Sequence, residues 1–118
     1  MATLLVGVGG LLGVLARYGI TRLAGPHGTA IWAVVGINIV GSFLLGLLVA
    51  ESWFSRDVRD AVGVGFLGGF TTFSTFSVQI VLDVQGGEPA RAALYLAASV
   101  LGGLAAAALG FALGRALA

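Results

Sequence analysis

The sequence predicts an all-α membrane protein with four transmembrane helices, folded as a single domain over residues 1–118. Of these residues 58% are hydrophobic and 9% are charged, and the mean hydropathy is +1.07. Uncharged stretches cover residues 1–16, 30–50, 61–82 and 92–114. At about 1.5 Å of rise per helical residue, the last three can each cross a hydrocarbon core of roughly 30 Å.

The first helix is short unless it includes Arg17 and continues to Leu23. An arginine near a helix end is tolerated, because its long stem lets the charge reach water. Connections of only six to ten residues then leave no room for a soluble domain. His27, the only histidine, stands beside Pro26 in the first connection, where a solvated turn residue is expected rather than a metal ligand.

The third helix carries the most unusual segment, Gly68 to Ser77, which reads GGFTTFSTFS and contains five hydroxyl side chains. Glycines at 63, 65, 68 and 69 predict a break in this helix near Gly68–Thr71. Such a break frees backbone carbonyls that can hold a cation if they are buried in protein. Phe73 and Phe76 lie three residues apart and share a face, so their positive ring edges could stabilise an anion.

Neutral hydrogen-bonding side chains mark the middle of the membrane, and no Asp, Glu, Lys, Arg or His lies between the charges near the helix ends. The main ones are Asn38, Thr75, Tyr95 and Ser99. Their amide and hydroxyl groups can donate to a small anion. The alternative for Asn38 is that it joins two helices. Without a carboxylate or a base, we expect passive permeation and neither proton-coupled transport nor an enzyme.

The arginines do not define an orientation. Arg56, Arg59 and Arg115 belong to one membrane face and Arg17, Arg22 and Arg91 to the other, and there is no lysine. Because basic residues normally accumulate on the cytoplasmic side, this balance favours dual topology and an antiparallel dimer. Small residues at four-residue spacing, such as Gly9 and Gly13 or Gly110 and Gly114, favour tight helix packing without choosing an oligomer.

These residues carry a resemblance that covers nearly the whole chain. GGFTTFSTFS, GVLARYGI at 13–20, GTAIWAVVGINIVGSFLLG at 28–46, and the pair Tyr95 and Ser99 resemble the Fluc/CrcB fluoride channel family. The resemblance implies an antiparallel dual-topology homodimer in the bacterial inner membrane, with two fluoride pores and a structural sodium ion at its centre. It implies that fluoride leaves the cell by electrodiffusion, which gives fluoride resistance, and it implies no nucleic acid partner.

The resemblance also assigns roles to single residues. Asn38 resembles the asparagine that lines the pore, and Phe73 and Phe76 the paired rings that contact fluoride. Thr75, Tyr95 and Ser99 resemble a hydroxyl track beside the rings, and Arg17 an arginine near a pore mouth. The carbonyls of Gly68 and Thr71 would coordinate sodium. Where some members of the family continue the track with a threonine, this chain has alanines at 105–108.

Three alternatives remain open. The chain could be one half of a heterodimeric fluoride channel, although the balanced arginines and the complete set of Asn38, Phe73 and Phe76 favour the homodimer. A small multidrug-resistance-type exporter has four helices and a similar length, but the first helix here lacks the membrane carboxylate that such an exporter needs. A purely structural membrane subunit would have no need for a polar run in its third helix.

Overall fold

A computed structural model describes the backbone of all 118 residues and every side chain except that of His27, so the predicted solvation of that side chain lies outside the described residues. The chain is helical almost throughout. In order, its elements are α1 Ala2–Leu23, α2 His27–Ala50, α3 Arg56–Arg59, a π-helical segment Asp60–Leu67, α4 Gly68–Phe70, α5 Ser74–Gln85 and α6 Pro89–Leu117.

Four helical spans are long and apolar enough to cross a membrane, which confirms the predicted number. They are Ala2–Leu23, Gly28–Ala50, Arg56–Gln85 and Pro89–Leu117. The longest dimension of the molecule is 48 Å, which exceeds a hydrocarbon core of roughly 30 Å. Large apolar side chains such as Leu4, Leu101 and Leu109 are about two-thirds exposed, as expected where lipid is the solvent. The extension of α1 through Arg17 to Leu23 is confirmed.

The connections between the spans are shorter than the predicted six to ten residues. They comprise only residues 24–26, 51–55 and 86–88, because each helix continues past its uncharged stretch and keeps its backbone hydrogen-bonded. Gly25 and Gly87 have φ of +88° and +80°, the left-handed conformation that favours glycine in such tight turns. Pro89 begins α6, at a position where its missing N–H costs no hydrogen bond.

Two pairs of helices pack through their backbones: α2 lies against α6, and α1 lies against the π-helical segment. A Cβ added at Gly110 would lie 2.0 Å from the Phe43 carbonyl oxygen, and one at Gly13 would lie 2.1 Å from that of Phe66. Only glycine permits such an approach. The four-residue spacing of Gly9 and Gly13 and of Gly110 and Gly114 therefore serves contacts within one chain.

The loop between α2 and α3 is fixed by Glu51, whose side chain is almost completely buried. Its carboxylate accepts hydrogen bonds from the Arg59 guanidinium at 2.9 Å and from the N–H groups of Trp53 and Phe54. Burial removes water from the carboxylate and opposes its ionisation, but these hydrogen bonds prevail and hold the pKa of Glu51 below its ordinary value. The loop therefore carries a compensated charge at one end of the helix bundle.

Candidate functional site

The third membrane span is interrupted near its middle. Helix α4 ends at Phe70, Thr71 is extended with φ −87° and ψ 158°, and α5 begins at Ser74. Gly68 and Gly69 are themselves helical, so the non-helical residues are 71–73. Glycine flexibility alone does not account for this placement, since side chains around residues 71–73 replace the missing helical hydrogen bonds.

Asn38 of α2 binds the backbone of Thr72 with both ends of its side-chain amide. Its Nδ2 donates to the Thr72 carbonyl at 3.0 Å, and its Oδ1 accepts from the Thr72 N–H at 2.9 Å. At the interruption, the Thr72 N–H and carbonyl lack the partners that they would have in a continuous helix. An unpaired backbone group inside a membrane is costly. The alternative noted for Asn38, that it joins two helices, thus describes its observed contacts.

The same contacts release two carbonyl groups. In an unbroken helix the Thr72 N–H would bond the Gly68 carbonyl, but it bonds Asn38 instead. The Thr75 N–H would bond the Thr71 carbonyl, but it bonds the Thr72 hydroxyl at 3.2 Å. The neighbouring Gly69 carbonyl accepts from Nε of Arg17 at 3.2 Å. The carbonyls of Gly68 and Thr71 have therefore lost their helical donors, whereas that of Gly69 has gained a cationic one.

A cavity of about 470 Å³ lies beside the interruption. It is lined by Asn38, Gly41, Ser42, Leu45, Gly63, Leu67, Gly68, Thr71, Thr72, Phe73, Phe76, Ser99 and Val100. The Ser99 side chain is buried, and among the described residues its hydroxyl is the buried side-chain polar atom without a hydrogen-bond partner. An unpaired buried hydroxyl is unfavourable unless something bonds to it. The cavity therefore offers a hydrogen-bonding group to a guest.

Phe73 and Phe76 stand together at this cavity. Their ring centroids are 5.9 Å apart at an interplanar angle of 62°, an edge-to-face arrangement. Phe76 is 5% exposed and its other side meets the Tyr95 ring at 5.0 Å and 80°, whereas Phe73 is 78% exposed. The buried ring is thus held by α6, and the exposed ring is open to whatever covers this face of the chain.

Three predicted site residues lie near the cavity without lining it. Tyr95 is fully buried and donates its hydroxyl hydrogen bond to Oε1 of Gln79. Thr75 follows the interruption in the first turn of α5, and Arg17 reaches the Gly69 carbonyl from α1. The structure brings Asn38, Phe73, Phe76 and Ser99 to one cavity together with Gly68 and Thr71. Behind this wall, Tyr95 packs against Phe76 and Arg17 binds the Gly69 carbonyl.

Sequence reasoning missed a polar ladder between α5 and α6. Gln79 and Asp83 are buried on α5, and Asp83 pairs with Arg91 at the start of α6 through contacts of 2.8 and 3.1 Å. From composition alone, Asp83 and Arg91 are only charges near helix ends. Their spacing carried the signal: 79 and 83 on one helix, and 91, 95 and 99 on the next, each repeat after four residues and share a face.

Together, the four spans and the polar cavity define a multi-pass helical membrane protein with hydrogen-bonding groups inside its bundle. The chain belongs to the CrcB family: the family model described as CrcB-like protein, Camphor Resistance (CrcB), matches residues 4–111. This confirms the resemblance found in the sequence.

Relatives of known description match over nearly the full chain. A "Fluoride-specific ion channel FluC" from Novosphingobium aromaticivorans is 43% identical over 99% of this chain and 98% of its own length. One from Thermus thermophilus is 45% identical over 97% and 95%, and a "Fluoride-specific ion channel FluC 2" from Moorella thermoacetica is 43% identical over 94% of both. Since these relatives are named as ion channels, the prediction that the chain is not an enzyme is confirmed.

Proposed function

We propose that this protein is a fluoride-selective channel that lets cytoplasmic fluoride leave the cell by passive electrodiffusion and so gives fluoride resistance. The observation that carries the proposal is the cavity beside the interrupted helix. It combines an amide, hydroxyls and two ring edges, and its lining contains no charged side chain among the described residues. The names of the relatives point to the same ion.

The chemistry of the cavity suits a small, strongly hydrated anion. The Ser99 hydroxyl and the second hydrogen of the Asn38 amide are free to donate, and the rings present positive edges. Neutral donors replace water step by step without trapping the ion, as a fixed cation would. Chloride is larger than fluoride and needs a wider passage, so a pore that narrows to the size of fluoride along this path would exclude chloride.

The groups that line the cavity support passive flow. Coupled transport needs a group that changes charge along the substrate path, and the lining residues are an asparagine, hydroxyls, phenylalanines, glycines and aliphatic residues. Thr75, Tyr95 and Arg17 lie behind the lining, where they position Phe76 and the interrupted helix and extend the polar track. The membrane potential and the fluoride gradient then set the direction of flow.

The functional unit we propose is an antiparallel dual-topology homodimer with two pores, embedded in the bacterial inner membrane. The equal distribution of arginines supports insertion in both orientations. Phe73, at the edge of the polar cavity, is 78% exposed, so a second subunit packed on this face would cover the ring and enclose the cavity. A two-fold axis would bring two interrupted helices together.

A sodium ion at the dimer centre fits the residues at the interruption. The carbonyls of Gly68 and Thr71 have lost their helical donors to Asn38 and Thr72, and carbonyl oxygen is a ligand that hard cations prefer. We propose that two such carbonyls from each subunit hold the ion. Bound there, the ion would neutralise the carbonyl dipoles and join the subunits.

The test is fluoride efflux from liposomes that contain only this purified chain. Valinomycin clamps the membrane potential, a fluoride electrode reads the efflux, and chloride-loaded liposomes serve as the control. We expect fast, valinomycin-dependent fluoride efflux without chloride efflux. Absence of fluoride efflux from folded protein would contradict a self-sufficient channel, and recovery on co-expression with a homologous chain would identify it as half of a heterodimer.

A further inference from the structure

Two side chains, Asn38 and Thr72, hold N–H groups that an unbroken helix would use for itself. We propose that both are positioning residues that keep the third span open, by withholding the helical donors from the carbonyls of Gly68 and Thr71. The inference rests on the proposed cation site and says how the chain prepares its two ligands. It gives Asn38 a task that does not require contact with an anion.

Asn38 acts from outside the interrupted span. Its two hydrogen bonds, of 2.9 and 3.0 Å, hold one residue, Thr72, at both its N–H and its carbonyl. Helix α2 is itself fixed, because Gly46 on α2 and Gly110 on α6 bring the two backbones into direct contact. The amide is thus carried on a rigid element, and the Thr72 N–H cannot return to Gly68 while it is engaged.

Thr72 performs the same task within the span. Its Oγ1 accepts from the Thr75 N–H at 3.2 Å, the bond from residue i to i+3 that hydroxyl side chains make at helix starts. This bond stabilises the first turn of α5 and at the same time takes the donor that Thr71 would have in a helix. Together the two side chains account for one released carbonyl each.

Removing the Thr72 hydroxyl should allow one further helical hydrogen bond to form in the third span. Thr72→Val keeps the branched shape but has no acceptor, so the Thr75 N–H is free to bond the Thr71 carbonyl. A bound cation must then compete with that hydrogen bond. We expect the sodium concentration for half-maximal stabilisation to rise roughly tenfold, the factor equivalent to about 1.4 kcal/mol.

The experiment measures the thermal unfolding temperature of the full chain, purified without sodium, as sodium chloride is titrated against N-methyl-D-glucamine chloride. Wild type should be stabilised by sodium, and Thr72→Val should need the higher concentration. Thr72→Ser keeps the hydroxyl and should restore the response. Ser77→Ala is the matched control, since Ser77 on α5 bonds back to its own helix at the Phe73 carbonyl. An unchanged sodium response in Thr72→Val would overturn the inference.

A second measurement needs no variant. Isotope-edited infrared spectroscopy of wild-type protein, labelled with 13C and 18O at the Gly68 carbonyl, reports whether that carbonyl accepts a helical hydrogen bond. We expect a band at the frequency of a carbonyl without an N–H partner, displaced when sodium is added. A helical frequency that sodium does not move would refute the inference. Both readouts are independent of fluoride efflux, so failure of the fluoride proposal would be recognised separately.

Discussion

Gly110→Ala tests the backbone contact between α2 and α6 on which the cavity depends. The new Cβ would lie 2.0 Å from the Phe43 carbonyl oxygen and 3.0 Å from the Leu47 nitrogen, whereas ordinary contacts begin at 3.4 Å. The helices would have to separate locally by about 1.4 Å, and neither neighbour is a side chain that can rotate away. Overpacking of this kind costs about 1–3 kcal/mol, and we expect the upper part of that range.

The matched controls are Gly7→Ala and Gly36→Ala, where an added Cβ meets no atom within 4 Å. Both replace a helical glycine by alanine, which favours the helix by up to about 1 kcal/mol. The assay is thermal unfolding of the three variants in the same detergent, followed by fluoride efflux. We expect Gly110→Ala alone to unfold at a lower temperature than wild type. Equal stability of all three variants would refute the backbone contact.

Other perturbations have equally definite outcomes. Asn38→Asp places a carboxylate against the Thr72 carbonyl, and a charge within a membrane helix costs about 2.5–3.5 kcal/mol. Fluoride efflux should vanish while gel filtration still shows an assembled protein. Normal efflux would exclude Asn38 from the fluoride path. Phe76→Ile keeps the bulk but loses the ring edge, so efflux should fall by roughly tenfold; an unchanged rate would reduce the ring to packing. Because the folded pKa of Glu51 is depressed, its stabilising contribution is complete above the unfolded value of about 4.3 and is lost as the pH falls through the folded value. The difference in unfolding temperature between wild type and Glu51→Gln should therefore be largest near neutral pH and shrink in acid; a constant difference would contradict the carboxylate contacts.

The membrane spans could be predicted from the sequence because a charged side chain is costly anywhere within hydrocarbon. Uncharged stretches located all four helices, and the tolerance of arginine near a helix end placed the end of α1 at Leu23. The ends of the helices were harder to predict, because the backbone hydrogen bonds of a membrane helix continue into polar residues. Asp83 and Arg91 therefore lie within helices and not in connections.

The candidate site was only partly accessible to the same reasoning. Composition and spacing identified Asn38, Phe73, Phe76 and Ser99, which do meet at one cavity. The pattern could not show that the Asn38 amide holds the Thr72 backbone, because that depends on how α2 and the third span face each other. Nor could it show that Gln79 is the partner of Tyr95, since four-residue spacing places residues on one face of a helix but does not say which faces meet.

The contact between α2 and α6 has a consequence for how constant the cavity is in size. Asn38, Gly41 and Ser42 of α2 and Ser99 and Val100 of α6 form parts of its wall. At Gly46, Gly110 and Gly114 only peptide backbone separates the two helices, and backbone has no rotamers to exchange, whereas beside the cavity the side chains of Ile39 and Ser42 face Gly102 and Gly103. The size of the cavity is therefore constrained, on the side formed by α2 and α6, by a contact that side-chain rotation cannot loosen.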